Sequence, residues 1–507
     1  MPALASIPSP GHLAARTCAA RAAASLLTTT LALSAGCSPA PDDGTAVPDR
    51  QVAIGLPSLD TPIGPIVSSL TRTRLIRLDQ AGHERPSIIE RWEKSADQRR
   101  WTFTIRDGVR LHDGTVAGAD QVAALVRQTV EGGDDQPGVW GVSAVEVVDP
   151  MTIRVTLREP TSLLLEAMSL VRALPAGPFQ QLSPDDPLPD LTAAPAAGQP
   201  APQVERVTLR PFETPRAAVA ALLREDVDVL VEVPGDARTL LASGNGVRTY
   251  PYVKPYVVTL ALNHRHPALA QRAVRLALNL AVDRENMIEQ DADGSGIPAA
   301  DVLWREHWAV PHTADAEAVR LDRPRARLLL ERAGYTERRH ASGAVQPRLR
   351  LTCLVVDHPT MRRIAARLQR SYASIGVVLD LEVLSQDDLL ARTGSGEFET
   401  VLSPLVTGYG LSFPYLYFGE HDRPRIIDHG YTAAQDAAER VRRAMSDDEL
   451  ARAASDLHRV LIEDRPAVYL YWQESSRALG PRVRVPGDVD GDVLGALARW
   501  TVAGAGR

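Results

Sequence analysis

The chain has 507 residues, 44% of them hydrophobic and 23% charged, with a formal net charge of −7. That length supports two or three domains with substantial cores. The acidic balance excludes a nucleic-acid-binding surface, which needs clustered cations to release phosphate counterions.

In chain order, residues 13–37 read LAARTCAARAAASLLTTTLALSAGC. Arg16 and Arg21 make a basic start with no acid before Asp42, and a short apolar run ends in small residues. This is an export signal over 1–36, too short and too Ala/Thr-rich for a stable membrane span. Its end, Leu33-Ser34-Ala35-Gly36-Cys37, resembles a lipoprotein cleavage box, which implies lipid attachment at Cys37. Ser34 stands where that box usually has leucine. Residues 37–50 then form a Pro- and acid-containing tether. With Cys18 lost and Cys37 lipidated, Cys353 cannot form an intrachain disulfide, so the exported fold must rest on core burial.

Beyond the tether, VAIGLPSL (52–59) and TRLIRLD (73–79) predict strands. In WTFTIRDGVRL, Trp101, Phe103 and Ile105 alternate with polar residues, the period of a half-buried antiparallel strand. A helix follows over 119–130, with Val122, Leu125, Val126 and Val130 on one face. Residues 143–160 predict a hairpin bent at Asp149-Pro150. The Pro/Ala-rich stretch 183–203 resists assignment. VERVTLRPF, PRAAVAALLRED and VDVLVEVP make a strand–helix–strand unit. A second α/β region opens with VVTLALN and one long helix over 268–289. It continues through RPRARLLLERAG, RLRLTCLVV, MRRIAARLQRSYASIG, VVLDLEVL, DDELARAASDLHRVLIEDR and AVYLYWQ, alternating helix and strand. PYVKPYVV (251–258) and DRPAVYLYW (464–472) combine proline with an extended aromatic strand, and are the expected crossings between two halves.

His112-Asp113 lies between glycine turns, with no partner histidine at helical spacing, and is read as a turn rather than an acid/base pair. Gly118 and Gln121 form half of a capping box for the helix behind it. His264-Arg265-His266 lacks a completing ligand and is read as a solvated loop rather than a metal site. Asp291–Gly296 starts like a calcium loop, but Val302 stands where a bidentate glutamate is needed. Asp488, Asp490 and Asp492 lack that glutamate too, and both segments are read as turns. No GxxxxGK[ST] or GxSxG occurs, so neither a nucleotide-hydrolysis loop nor a serine nucleophile elbow is present.

Five segments in order carry a resemblance: LIRLDQAGHERPSIIERWEKSADQRRWTFTIRDGVRLHDGTVAGADQV; VRLALNLAVDRENMI with Asn263 upstream; RPRARLLLERAGY; ASIGVVLDLE; and RPAVYLYW. From near Leu59-Asp60 almost to the C-terminus, the chain resembles the bacterial extracellular solute-binding proteins of the peptide/nickel class, family 5, which serve ABC importers. The resemblance implies an α/β, two-lobed, periplasmic-binding-protein-like (type II) fold with an extra subdomain in the first lobe and a two-strand hinge. Lobe I would cover 51–255, with the insert near 75–165; lobe II would cover 256–468, and 469–507 would return to lobe I.

The implied function is capture of a peptide or peptide-like small solute by lobe closure and delivery to an ABC permease and its ATPase subunits. The protein would be a lipid-anchored monomer of the cell envelope with no cofactor, metal or catalytic residue. The alternatives are a binding lipoprotein used for sensing or chaperoning and, less favoured, an exported hydrolase. Which solute is taken stays open among peptides, modified peptides, opines, sugars and metal chelates.

Candidate ligand contacts are Tyr256, Asn263, Trp304, Tyr409, Phe413, Tyr415 and Trp472, with Trp308, Tyr417 and Phe418 nearby in sequence. Aromatic rings bury much area and add few rotatable bonds, which suits a cleft, although any one of them equally suits a core. The chain departs from peptide binders of that family at Gly410. Aligned on Pro414, this is where they carry an aspartate for the peptide α-amine, and Phe413 stands where a second acid often sits. A free peptide N-terminus is therefore not expected as ligand unless another acid, such as Glu420, substitutes. The Pro/Ala segment also replaces a Trp/Tyr-containing motif that usually follows the family's counterpart of Gly177-Pro178-Phe179.

Overall fold

The computed structural model describes residues 50–131, 141–171, 173–183, 186–194, 201–243, 246–311, 320–339, 345–421, 425–489 and 491–503. The export signal, Cys37 and nearly all of the tether lie outside these residues, as does Asp490. Among the described residues no helix is long and apolar enough to cross a membrane.

One mixed sheet runs through both halves of the molecule. From one edge its strands are Val377–Leu384, Leu349–Val356, Thr400–Val406, Arg248–Leu262, Ala467–Leu479, Val229–Leu230, Gln51–Leu56, Arg206–Pro211, Leu191–Ala193 and Phe179–Gln181. Gly296–Pro298 pairs beside Ala467–Leu479. Parallel pairing occurs within each half, Gln51–Leu56 with Arg206–Pro211 in one and Leu349–Val356 with Val377–Leu384 in the other. The two long central strands are antiparallel and belong to both. The assignment of 183–203 as irregular is corrected in part, because Leu191–Ala193 pairs with Arg206 and Val207.

The central strand shows how alternation builds two cores at once. Val257 and Ala261 face one apolar cluster, with Trp304, Leu405 and Leu457. Val258, Leu260 and Leu262 face the other, with Leu278, Ile364 and Leu368. Residues one apart on a strand point to opposite faces, so a run buried on both sides reads as continuously apolar. In the first half Val52, Ile54 and Leu56 share one face of their strand and pack with Leu70, Val207 and Trp500.

A separate four-stranded antiparallel sheet, ordered Ile89–Lys94, Arg100–Ile105, Thr152–Leu157, Val142–Asp149, has its own core. Trp101, Phe103 and Ile105 are buried there against Val122 and Val126 of the helix Ala119–Glu131. The His112-Asp113 segment is the turn into this helix. His112 Nε2 donates to Gly177 O, Asp113 Oδ1 accepts from Thr115 N and Oγ1, and Gly114 adopts φ +85. Gly118 N donates to Gln121 Oε1 at 3.0 Å, the expected half of a capping box.

The single long helix expected over 268–289 is instead two, Arg272–Leu280 and Arg284–Asp291. The break has a local cause: Asp283 is extended and its carboxylate accepts from Asn286 N, capping the second helix. Arg284 then turns inward, donating to Tyr469 O and to Asn279 O and Oδ1. Burial lowers its pKa to about 10, still charged at neutral pH. Asn279 in turn donates to Ala467 O, so the helix pair is pinned to the start of the strand Ala467–Leu479.

Candidate functional site

The strands Arg248–Leu262 and Ala467–Leu479 pair from Arg248 opposite Leu479 to Ala261 opposite Ala467. Their ladder is irregular at two places, a one-residue slip between Val258 and Thr259 and a wider parting just before it. Val253 faces Glu474 and Val257 faces Trp472, which leaves Lys254, Pro255 and Tyr256 against Gln473 alone. At that point each strand has taken another neighbour: Tyr256 pairs with Val406 and Gln473 with Gly296. Pro255 has no N–H to give the ladder, and its carbonyl accepts from Thr407 N at 2.9 Å. Such an interruption is where a paired ribbon can bend without breaking its flanking hydrogen bonds.

Rings gather at this parting. Trp304 is fully buried, with Tyr409 edge-on at 5.0 Å and Trp472 edge-on at 5.3 Å between ring centroids. Burial pushes the Tyr409 phenol up to about 12 and raises that of Tyr256. Phe413 is half-buried, its ring close against Gly408. A loop of the first half closes over the group: Trp304 Nε1 donates to Gln80 O at 2.6 Å and Trp308 N to Ala81 O at 2.9 Å. Gly82 sits at φ +83, where a side chain would collide with the His307 ring and Tyr409 O. Trp308 lies at the lip, 36% exposed and stacked on His83 at 5.7 Å.

Of the residues singled out from sequence, Trp304, Tyr409 and Trp472 come together directly. Tyr256 occupies the parting of the strands, and Phe413 follows Tyr409 by four residues in the first turn of the helix Ser412–Phe418. Two others sit elsewhere. Tyr415 is 4% exposed, with its hydroxyl 2.6 Å from Glu439 Oε1 and 2.8 Å from Glu420 O. Asn263 is buried at the far end of its strand. Its amide donates to Gly396 O and Phe398 O while its oxygen accepts from Arg265 N. Tyr417 and Phe418 line a small apolar pocket of about 20 Å³ with Leu405, His429 and Tyr469.

The other constellations resolve locally. Asp291 pairs with Arg367 at 2.6 Å, Asp492 with Arg477 at 2.5 Å and Asp488 with Arg499 at 2.7 Å. His264 donates to Pro466 O and packs on Tyr431, and burial lowers its pKa to about 4. Among the described residues no group of three or more His, Cys, Asp or Glu is placed to hold a metal ion.

One functional candidate escaped the sequence reading. Glu166, on the helix Leu164–Leu170, is 5% exposed and reaches the other half of the molecule. Its Oε2 accepts from Leu411 N and Ser412 N at 2.8 Å each and from Ser412 Oγ at 2.7 Å. The carboxyl fills the space beside Gly410, where any Cβ would overlap it. Burial pushes it up to about 7 against the pull of those three donors. The only signal in the sequence was a single acid inside the apolar run Leu163–Leu170; nothing linked it to a residue some 245 positions away.

A family model described as bacterial extracellular solute-binding proteins, family 5 Middle, matches residues 84–424. The chain is 21% identical over 429 residues to a probable D,D-dipeptide-binding periplasmic protein, DdpA, of Escherichia coli, covering 78% of this chain and 81% of that one. It is 25% identical over 402 residues to the nickel-binding periplasmic protein of the same organism, covering 71% and 74%. Among solved structures it shares its fold with NikA from Brucella suis in complex with Fe(III)-EDTA. That match has TM-score 0.75 and 18% identity, and covers 89% of this chain and 99% of that one. A putative peptide binding protein, AppA, from Clostridium difficile superposes with TM-score 0.76 at 14% identity, covering 89% and 100%. The order of sheet and subdomain, the doubled central ribbon and the family match together place this chain among the bacterial extracellular solute-binding proteins of family 5.

Proposed function

We propose that the protein captures a peptide or peptide-like small solute between its two lobes and hands it to the permease of an ABC importer. One observation carries the reading: the paired strands shared by both halves part most widely at Lys254–Tyr256, and the rings of Trp304, Tyr409 and Trp472 meet beside that parting. Bending at that parting opens or closes the halves over the rings. A bound solute favours closure only by the difference in its affinity for the two forms. The work is binding without turnover. D,D-dipeptide binding is what the DdpA name states of that relative, and nickel binding is what the other name states; peptide-like solutes fit a wall of edge-on rings better than a bare ion.

In this proposal lobe I comprises 51–255, with the subdomain near 75–165, lobe II comprises 256–468, and 469–507 returns to lobe I. The mature chain is held at the outer face of the cytoplasmic membrane or in the periplasmic space by lipid on Cys37, and works as a monomer with permease and ATPase partners. Native mass spectrometry of protein purified without refolding weighs whatever solute stays trapped. Tyr409→Ala with Phe413→Ala should then weaken capture of that solute at least tenfold in calorimetry, roughly the worth of a lost ring contact, at an unchanged far-UV spectrum. Unchanged affinity removes those rings from the pocket, and chemical conversion of an added compound replaces the receptor by a catalyst.

A further inference from the structure

The hinge strands are not the only link between the halves. The subdomain docks on the second half along a line of contacts that no hinge residue makes. Gln98 Nε2 donates to Met445 O, Arg442 pairs with Glu159 at 3.2 Å, Ser162 N and Oγ donate to Arg442 O and Val441 O, and Leu163 enters the second half's core. Glu166 lies at the end of that line nearest the rings, since its donors Leu411 and Ser412 follow Tyr409 by two and three residues.

We infer that Glu166 is a lobe-crossing latch: its carboxyl completes closure by binding the Leu411–Ser412 backbone, and it bounds the solute site on the Gly410 side. The argument is steric and electrostatic. Three donors converge on one oxygen from a segment of the opposite half, a bonding pattern that opening the cleft must break. Hydrogen bonds to a charged acceptor are the stronger kind. Gly410 is the complementary half of the device, because only a residue without Cβ leaves room for the carboxyl. Since those N–H groups are already taken, a solute that reaches Gly410 must displace Glu166, and one that stays among Trp304, Tyr409 and Trp472 leaves the latch shut. The site therefore favours short solutes confined to the rings and the strand parting.

This inference rests on the closing-receptor reading, but its test needs no solute. Small-angle scattering on the solute-free protein compares wild type with Glu166→Ala, Gly410→Ala and the double variant, and thermal melts check that each is folded. Both single variants should raise the radius of gyration by shifting the open-to-closed ratio at least about tenfold. The double variant should match Glu166→Ala alone, because the three atoms nearest a new methyl at Gly410 all belong to the removed carboxyl. Glu166→Gln, which keeps an acceptor oxygen of the same reach, should fall between.

Superposable profiles for wild type and both single variants, with melts intact, overturn the latch. If a metabolite library still compacts the wild type in that case, the receptor reading survives without it. If nothing added or substituted ever alters the profile, closure itself is wrong. Additive effects in the double variant also overturn the latch, since they place Gly410 and Glu166 out of contact.

Discussion

Asn263→Ala separates scaffold from site. The Asn263 amide donates at 3.0 Å to Gly396 O and 2.7 Å to Phe398 O and accepts at 3.0 Å from Arg265 N, and the residue is 5% exposed. Truncation leaves two carbonyls and one N–H without these partners in a closed environment. With part of the loss recovered by relaxation and water, the cost is about 3 kcal/mol. For a lobe of this size that lowers the melting midpoint by roughly 6–12 °C. Asn263→Asp should be worse than alanine, because a carboxylate oxygen would then face two carbonyl oxygens. Differential scanning calorimetry measures the shift, and titration with the recovered solute below the melting range should give an affinity within about twofold of wild type, the size of a distant effect. A midpoint unchanged while affinity falls tenfold would refute this account and return Asn263 to the pocket.

Glu166 should make stability depend on pH with a definite sign. Its carboxyl is raised to about 7 in the closed protein, so the folded form holds the proton longer than the unfolded chain does. The penalty for burying the charge, of order 3 kcal/mol, is full above pH 7, shrinks as pH falls and is gone below the usual carboxylate range. Glu84, also raised by burial, acts in the same direction. His264 and His429, held low by burial, oppose it below pH 6.5. The readout is therefore the melting difference between wild type and Glu166→Gln at pH 8 and pH 6: the variant should gain relative to wild type at pH 8, and an equal difference at both values sinks the prediction. Cys353 should resist iodoacetamide in the folded protein, because it is fully buried and its thiol is pushed up to about 12; peptide mapping after labelling at pH 8 should find it unmodified. Asp301→Ala should destabilise by roughly 3 kcal/mol, seen as a lower urea midpoint, since its buried carboxylate accepts from His458 Nδ1 at 2.6 Å and from Leu303 N.

What sequence made legible was what local chemistry dictates. Trp101, Phe103 and Ile105 alternate and are buried, His112-Asp113 lies in a turn with Gly114 at positive φ, and Gly118 and Gln121 form the expected half of a capping box. Proline beside aromatic residues marked both shared strands. The long helix over 268–289 misled because its apolar pattern continues through Ala281 and Val282, whereas the extended Asp283 ends it and caps the next helix. Ring type alone could not separate Tyr409 from Tyr415, since both sit in one dense aromatic segment. Their surroundings differ: Tyr409 packs edge-on against Trp304, and the Tyr415 hydroxyl bonds the Glu439 carboxylate. Gly410 stood out as a missing acid, but Glu166 was illegible because its meaning lies in a contact with that distant segment, and it carries no local pattern.

The doubled central ribbon also governs how such a molecule comes into being. Residues 467–479 supply a strand to both halves, so neither sheet is complete until almost the whole polypeptide has been made. Pairings this remote in sequence form slowly. A chain stopped short of Ala467 loses at one stroke the pairing partner of Arg248–Leu262 and of Val229–Leu230, so neither half can complete its part of the sheet alone.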